Sequence, residues 1–235
     1  MKRSIGLLAV AVAAAVCASA AFAGQQNIST TRLQNGALFA TKLMADADER
    51  NAGGRVYTPA GTDSDNFNTK YPKATYTPWD AYILCGADQA DDYCNDSATQ
   101  MAMAFTTLPT GSQFSKGLDL ALEVVDGSGG ATVAIYNDNG GIPGTALAGS
   151  TQHVTATTAW GTLGPILQAA YAKRVAFANS TQYWVVVTPD ADSTIAWDIE
   201  DTDYTDSFLS AFQSGTNAWG SDDLTAYVPA FDVVK

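Results

Sequence analysis

From about residue 100 onward the chain keeps one texture, in which short runs rich in β-branched and aromatic residues are cut about every ten residues by Gly, Pro, Asn and Asp. MAMAFTT (101–107) runs into LPTGSQ, GLDLALEVV (117–125) into DGSGG, and ATVAIYN (131–137) into DNGGIPG. This rhythm constrains the fold more than any other feature, because no helices alternate with the strands as a parallel α/β sheet would require. In LDLALEV, Leu118, Leu120, Leu122 and Val124 alternate with Asp119, Ala121, Glu123 and Val125. A period of two predicts a strand with one face in the core and the other largely wet. In TQYWVVVT (181–188), Tyr183, Val185 and Val187 oppose Trp184 and Val186, so both faces are apolar and a central strand is predicted. Further strands are expected at 145–151, 152–157, 173–178, 193–199, 206–212 and 225–231, with room for a helical turn at PILQAAYA (165–172). Asp-Asn-Gly-Gly and Pro-Gly in 138–144 supply the positive and fixed φ angles of a reversing turn. The expected fold is all-β, an antiparallel β-sandwich of jelly-roll type over 99–235.

The N-terminus reads differently. Lys2 and Arg3 precede an apolar run from Ile5 to Val16, and small residues lead to Ala21-Phe22-Ala23. These are the parts of a secretory signal peptide over 1–23, with cleavage expected after Ala23. The run is too short for a retained transmembrane helix. Val16, before Cys17, is bulkier than the small residue usual at lipid-attachment sites. A secreted or periplasmic protein, not inserted in the membrane once the signal is cleaved, is therefore expected. Residues 24–98 read as a loop-rich extension, with a weakly patterned patch at 37–50 that suits a helix and an extended leader equally. Tyr57, Phe67, Tyr71, Tyr76 and Trp79 are spaced through the rest. Cys85 and Cys94 enclose GADQADDY, and in an exported protein a close lone pair is most simply a disulfide.

Composition narrows the function classes. Of 235 residues, 46% are hydrophobic, enough for a sizeable core. Lys and Arg number 12 against 24 Asp and Glu, a net charge of −12 that argues against nucleic acid or an anionic membrane surface as partner, so neither is expected. His153 is the one imidazole, so any Ser-His-Asp or Cys-His mechanism would run through it, and no G-x-S-x-G motif is present. Its place in QHVTAT reads as a surface or edge histidine. Asp198, Glu200 and Asp201, with Asp203 and Asp206 nearby, are the best carboxylates for glycoside hydrolysis. The same oxygens, and Asp138 in Asn137-Asp138-Asn139-Gly140-Gly141, are candidate calcium ligands, although neither segment matches an EF-hand loop. For both segments a tight polar turn and a solvated acidic surface is the preferred reading. Among the tryptophans, Trp160 before Gly161 and Trp219 in TNAWGSDD stand in loop-like contexts and are the candidate ligand platforms.

The order AMAFTT, SKGLDLALEVVDG, VAIYNDNGGIPGTALA, VAFANSTQYWVVVTPDADSTIAWDI, NAWGSDD and PAFDV resembles the secreted β-sandwich domains called choice-of-anchor R, over about residues 99–234. Its most specific parts are the turn at 135–144 and the Tyr183-Trp184 pair followed by Trp197. The resemblance implies an exported sandwich and carries no common activity and no catalytic residues. From the AYVPAFDVVK end no C-terminal anchor is expected, and with the long leader carrying the cysteine pair this departure from the resemblance favours release or the periplasm. The expected function is a non-catalytic binding or adhesion module whose partner is an extracellular glycan or a cell-surface protein, with carbohydrate preferred and no cofactor required. A structural envelope or matrix component is the alternative, and a carboxylate-dependent glycosidase or lyase the third reading.

Overall fold

The computed structural model describes residues 27–32, 37–43, 62–65, 76–89, 94, 98–162, 164–200, 208–224 and 227–235. The signal-type segment, Cys17, Asp201, Asp203 and Asp206 lie outside these residues. Sixteen strands are described: β1 (Asn27–Arg32), β2 (Leu38–Leu43), β3 (Thr62–Asp65), β4 (Tyr76–Cys85), β5 (Thr99–Thr106), β6 (Gln113–Leu120), β7 (Leu122–Gly127), β8 (Gly130–Asp138), β9 (Pro143–Ala146), β10 (Gln152–Thr155), β11 (Leu167–Phe177), β12 (Gln182–Pro189), β13 (Ser193–Glu200), β14 (Phe208–Ser214), β15 (Gly220–Leu224) and β16 (Phe231–Val234). The described chain is all-β, and every strand pairing within it is antiparallel.

Three sheets enclose one core. A seven-stranded sheet runs β10-β8-β12-β5-β14-β15 with β9 on β8; a five-stranded sheet runs β1-β2-β4-β13-β7; a four-stranded sheet runs β11-β6-β16-β3. Alternate residues from each face inward: Met101, Met103, Val133, Ile135, Val185 and Val187 from the first, Tyr82, Leu84, Ile195 and Trp197 from the second, Leu118, Leu120, Phe231 and Val233 from the third. This is a β-sandwich in which the second and third sheets curl into each other, because β6 and β7 are one strand interrupted at Ala121. β12 is an interior strand buried on both faces, as its apolar alternation predicts.

Two sequence expectations change, and an open one is settled. The outward face of β6–β7 is dry: Asp119, Ala121 and Glu123 are as buried as the leucines opposite, because alternation names two faces and cannot say what covers the second. Residues 165–172 form no helical turn, since β11 begins at Leu167 and pairs Leu167–Ala170 with Leu120–Gly117. Within 37–50, the described part is strand β2, paired to β1 and β4. In both places inter-strand pairing overrides the helix preference of alanine, lysine and leucine. The boundary expected at 98/99 is crossed by pairing, for β4 lies directly beside β13.

The disulfide is formed between Cys85 and Cys94, with Cα atoms 5.5 Å apart. It ties the end of β4 to the following loop, and the Cys85 N–H donates to Thr99 Oγ1 at 2.7 Å where β5 begins. The turn after β8 is also as expected, with Gly140 and Gly141 at φ +72° and +89°.

Candidate functional site

The outward face of the seven-stranded sheet is built in rows. Trp184 on β12 stands opposite Tyr136 on β8 and Ala104 on β5. One row over, Val186 faces Ala134 and Ala102, and Ala102 faces Ala211 on β14. Ala102, Ala104, Trp184, Val186 and Ala211 make one buried cluster, against which Tyr136, Leu209 and Trp219 pack while remaining partly exposed. The small side chains form a low floor. Trp219 and Tyr136 pack at its edge and stay partly exposed.

Two hydrogen-bonded systems brace that floor. Asp138, which opens the β8–β9 turn, accepts the indole N–H of Trp184 and the amide of Gln182 on Oδ1, each at 2.8 Å, and the main-chain N–H groups of Gly140 and Gly141 at 3.2 Å. Burial pushes the Asp138 carboxyl up, but the donors Trp184, Gly141, Gln182 and Gly140 outweigh it and hold the group below its ordinary value. On the other side, Thr188 Oγ1 donates to Gln100 Oε1 at 2.7 Å, Gln100 donates to Gln213, and Gln213 Nε2 donates to the Asn217 carbonyl at 2.6 Å. This relay crosses β12, β5 and β14 and ends two residues before Trp219, fixing the turn that presents it. Main-chain bonds from Gly215 N–H to Ala98 O at 2.7 Å and Asn217 N–H to Ser214 O at 3.1 Å complete that turn.

The residues singled out in the sequence are distributed over several places. Trp219 lies on this face. Trp160 does not, and the expectation of an exposed platform there is corrected: it is 4% exposed, in a cluster with Ala40, Ala81, Ile83, Cys85, Cys94 and Ala196 on the outward side of the five-stranded sheet. Its loop is drawn in by main chain, Trp160 N–H to Val124 O at 2.8 Å, and by Gly161 N–H to Glu123 Oε2 at 2.9 Å. The proposed calcium set is not brought together either. Asp138 is on the seven-stranded sheet with its oxygens engaged by four donor groups, whereas Asp198 and Glu200 are on β13 in the five-stranded sheet. Asp198 and Glu200 are buried, and burial first, then the negative charges of Glu123 and Asp80, pushes the Asp198 carboxyl well above its ordinary value. His153 is on the edge strand β10, 56% exposed, with Nε2 2.7 Å from Asp190 Oδ2.

Sequence reasoning missed the buried acids on the same side of the sheets as Asp198. Glu123, Asp119 and Asp232 lie on the same outward side of the curled sheets, all buried, with Asp119 directly opposite Asp232. The signal was available in the strict alternation of LDLALEV and FDVV, where acids share a face with Ala121 and Ala230. Tyr136 was also missed, because only the register across β8 and β12 sets it beside Trp184.

No protein-family model matches this chain, and comparisons with curated proteins and with solved structures return no match. Among the described residues, no helix is long and apolar enough to cross a membrane.

Proposed function

We propose that this chain is an exported, non-catalytic binding module that holds carbohydrate on the outward face of its seven-stranded sheet. The observation that carries this reading is that two partly exposed rings, Trp219 and Tyr136, pack against one alanine floor, which Asp138 and the Gln100–Gln213 relay brace from the same face. The apolar face of a pyranose packs on such rings, while exposed Asn139, Thr216 and Asn217 at the rim offer hydrogen bonds to hydroxyls. Rigid platforms lose little entropy on binding, which is what the bracing provides. Export is supported by the signal-type N-terminus and by the Cys85–Cys94 disulfide, which persists in oxidising compartments.

The test is a broad polysaccharide and glycan panel probed with the mature chain and with Trp219→Ala and Tyr136→Ala. A specific binder is expected, weakened about tenfold or more in each variant, which corresponds to about 1.4 kcal/mol. No binder across the panel, or wild-type affinity in Trp219→Ala, overturns the reading.

A further inference from the structure

Where β13 meets the β6–β7 strand and the approach to β16, three peptides bond to one another. Asp198 N–H donates to Ala121 O at 3.0 Å, Ala121 N–H to Ala230 O at 3.3 Å, and Ala230 N–H to Asp198 O at 2.8 Å. The backbone groups of the junction satisfy themselves. The Asp198 side chain, 0% exposed, has no hydrogen-bond partner on either oxygen. Its neighbours on the same outward side are Ala81 directly across β4, Ala196 two residues back, and Ala121 and Ala230 at the junction. Methyl groups give a carboxylate neither donors nor counter-charge, and the side chain packed against Ala121 and Ala230, Ile166, is apolar as well.

The nearby charges make matters worse. Glu123 pairs with Ala196 across β7, which sets it diagonal to Asp198 on the same side, and one of its oxygens takes the Gly161 N–H at 2.9 Å. Glu200 lies two residues along β13, and Asp119 and Asp232 continue the acidic side across the four-stranded sheet. No cationic side chain forms an ion pair with Asp198 among the described residues. A buried carboxylate without donors is among the costliest groups a fold can carry, and native structures resolve such groups with an ion, water or a proton. A proton serves one oxygen of the pair, whereas a cation serves both oxygens and the neighbouring Glu123 together.

We propose that Asp198 and Glu123 hold a divalent cation of the calcium class at this alanine-lined junction. Calcium takes roughly six to eight oxygens in irregular geometry and accepts water and main-chain carbonyls beside carboxylates. That tolerance is needed, since no three His, Cys, Asp or Glu side chains close on one point among the described residues. The net charge of −12 supplies a field that draws a cation in. The site is on a different sheet from Trp219, so it stands or falls independently of the carbohydrate reading.

The experiment uses the mature chain stripped with EDTA and titrated with calcium chloride alone, without glycan, by calorimetry and by thermal melting. One equivalent of calcium is expected to bind, raising Tm by about 5–10 °C at a hundred times its Kd. The rise should vanish in Asp198→Asn, fall at least tenfold in affinity in Glu123→Gln, and persist in Asp126→Asn, a change at an exposed strand-end acid. Absence of heat and of any melting shift in wild type at millimolar calcium overturns the proposal, as does an undiminished shift in Asp198→Asn. Should Asp198→Asn not fold, the wild-type titration and Glu123→Gln decide by the same criteria.

Discussion

Replacing Asp198 by Asn removes one charge and keeps the shape, which makes it a direct probe of what that carboxyl costs the fold. Burial, then Glu123 and Asp80, raises its folded pKa well above 3.8. A carboxyl whose pKa is higher folded than unfolded keeps its proton in the native state after the unfolded chain has released it. Stability from this group is therefore full below about pH 3.8 and is lost as pH rises toward the folded value. Within that window the loss is about 1.4 kcal/mol per pH unit. For a chain of this size each kcal/mol moves Tm by about 2–4 °C, so the slope is about 3–6 °C per pH unit. The assay is thermal melting of wild type and Asp198→Asn in EDTA at half-unit steps from about pH 4 to 8. The quantity read is the difference between the two curves, in which the acids that do not interact with Asp198 cancel and Glu123 and Asp80 only modulate the slope. The wild type should lose ground steadily to the variant as pH rises, and calcium should reverse that loss. Parallel curves across the whole range would refute the reasoning, because they would mean that Asp198 carries no uncompensated charge in the folded protein.

Other positions give sharper local outcomes. Asp138→Ala leaves the buried Trp184 indole N–H without its acceptor and should cost about 1–3 kcal/mol, read as a lower urea midpoint with an altered near-ultraviolet circular dichroism signal. The stability Asp138 supplies has the opposite pH sign to that of Asp198: its lowered pKa means the contribution is present above about 3.8 and fades as pH falls through the folded value. Joint replacement of Cys85 and Cys94 by Ser should cost about 2–3 kcal/mol, the entropy of so short a loop, seen as a Tm drop of several degrees without loss of far-ultraviolet strand signal. Trp160→Phe should lower stability and leave glycan affinity at the wild-type value, in contrast to Trp219→Ala, since Trp160 is packed against the disulfide cluster.

The sequence reads well where alternation and turn chemistry are strong. TQYWVVVT announces a central strand, DNGGIPG a reversing turn, and the cysteine spacing a disulfide, because each depends on local geometry alone. Reading fails where pairing at long range decides. Ala169 and Ala170 look helical until β6 lies beside them, and Trp160 looks exposed until the loop folds onto Val124 and Glu123. The same limit hid the acidic junction: Asp198, Glu123 and Asp232 are far apart in the chain, and only the register of β13 on β7 and of β16 on β6 places them on one side. Trp219 was legible as a loop aromatic next to Gly220. The place of Tyr136 on the same face and the bracing role of Asp138 required the β8–β12 register.

The most direct measurement of the central claim is the amide hydrogen-exchange footprint of a polysaccharide bound to the mature chain. Binding on the proposed face predicts slowed exchange in β8, β12 and the turn from 214 to 219, with the 156–166 loop unchanged. A footprint confined to that loop or to the five-stranded sheet, or no footprint with any polysaccharide, would contradict the account.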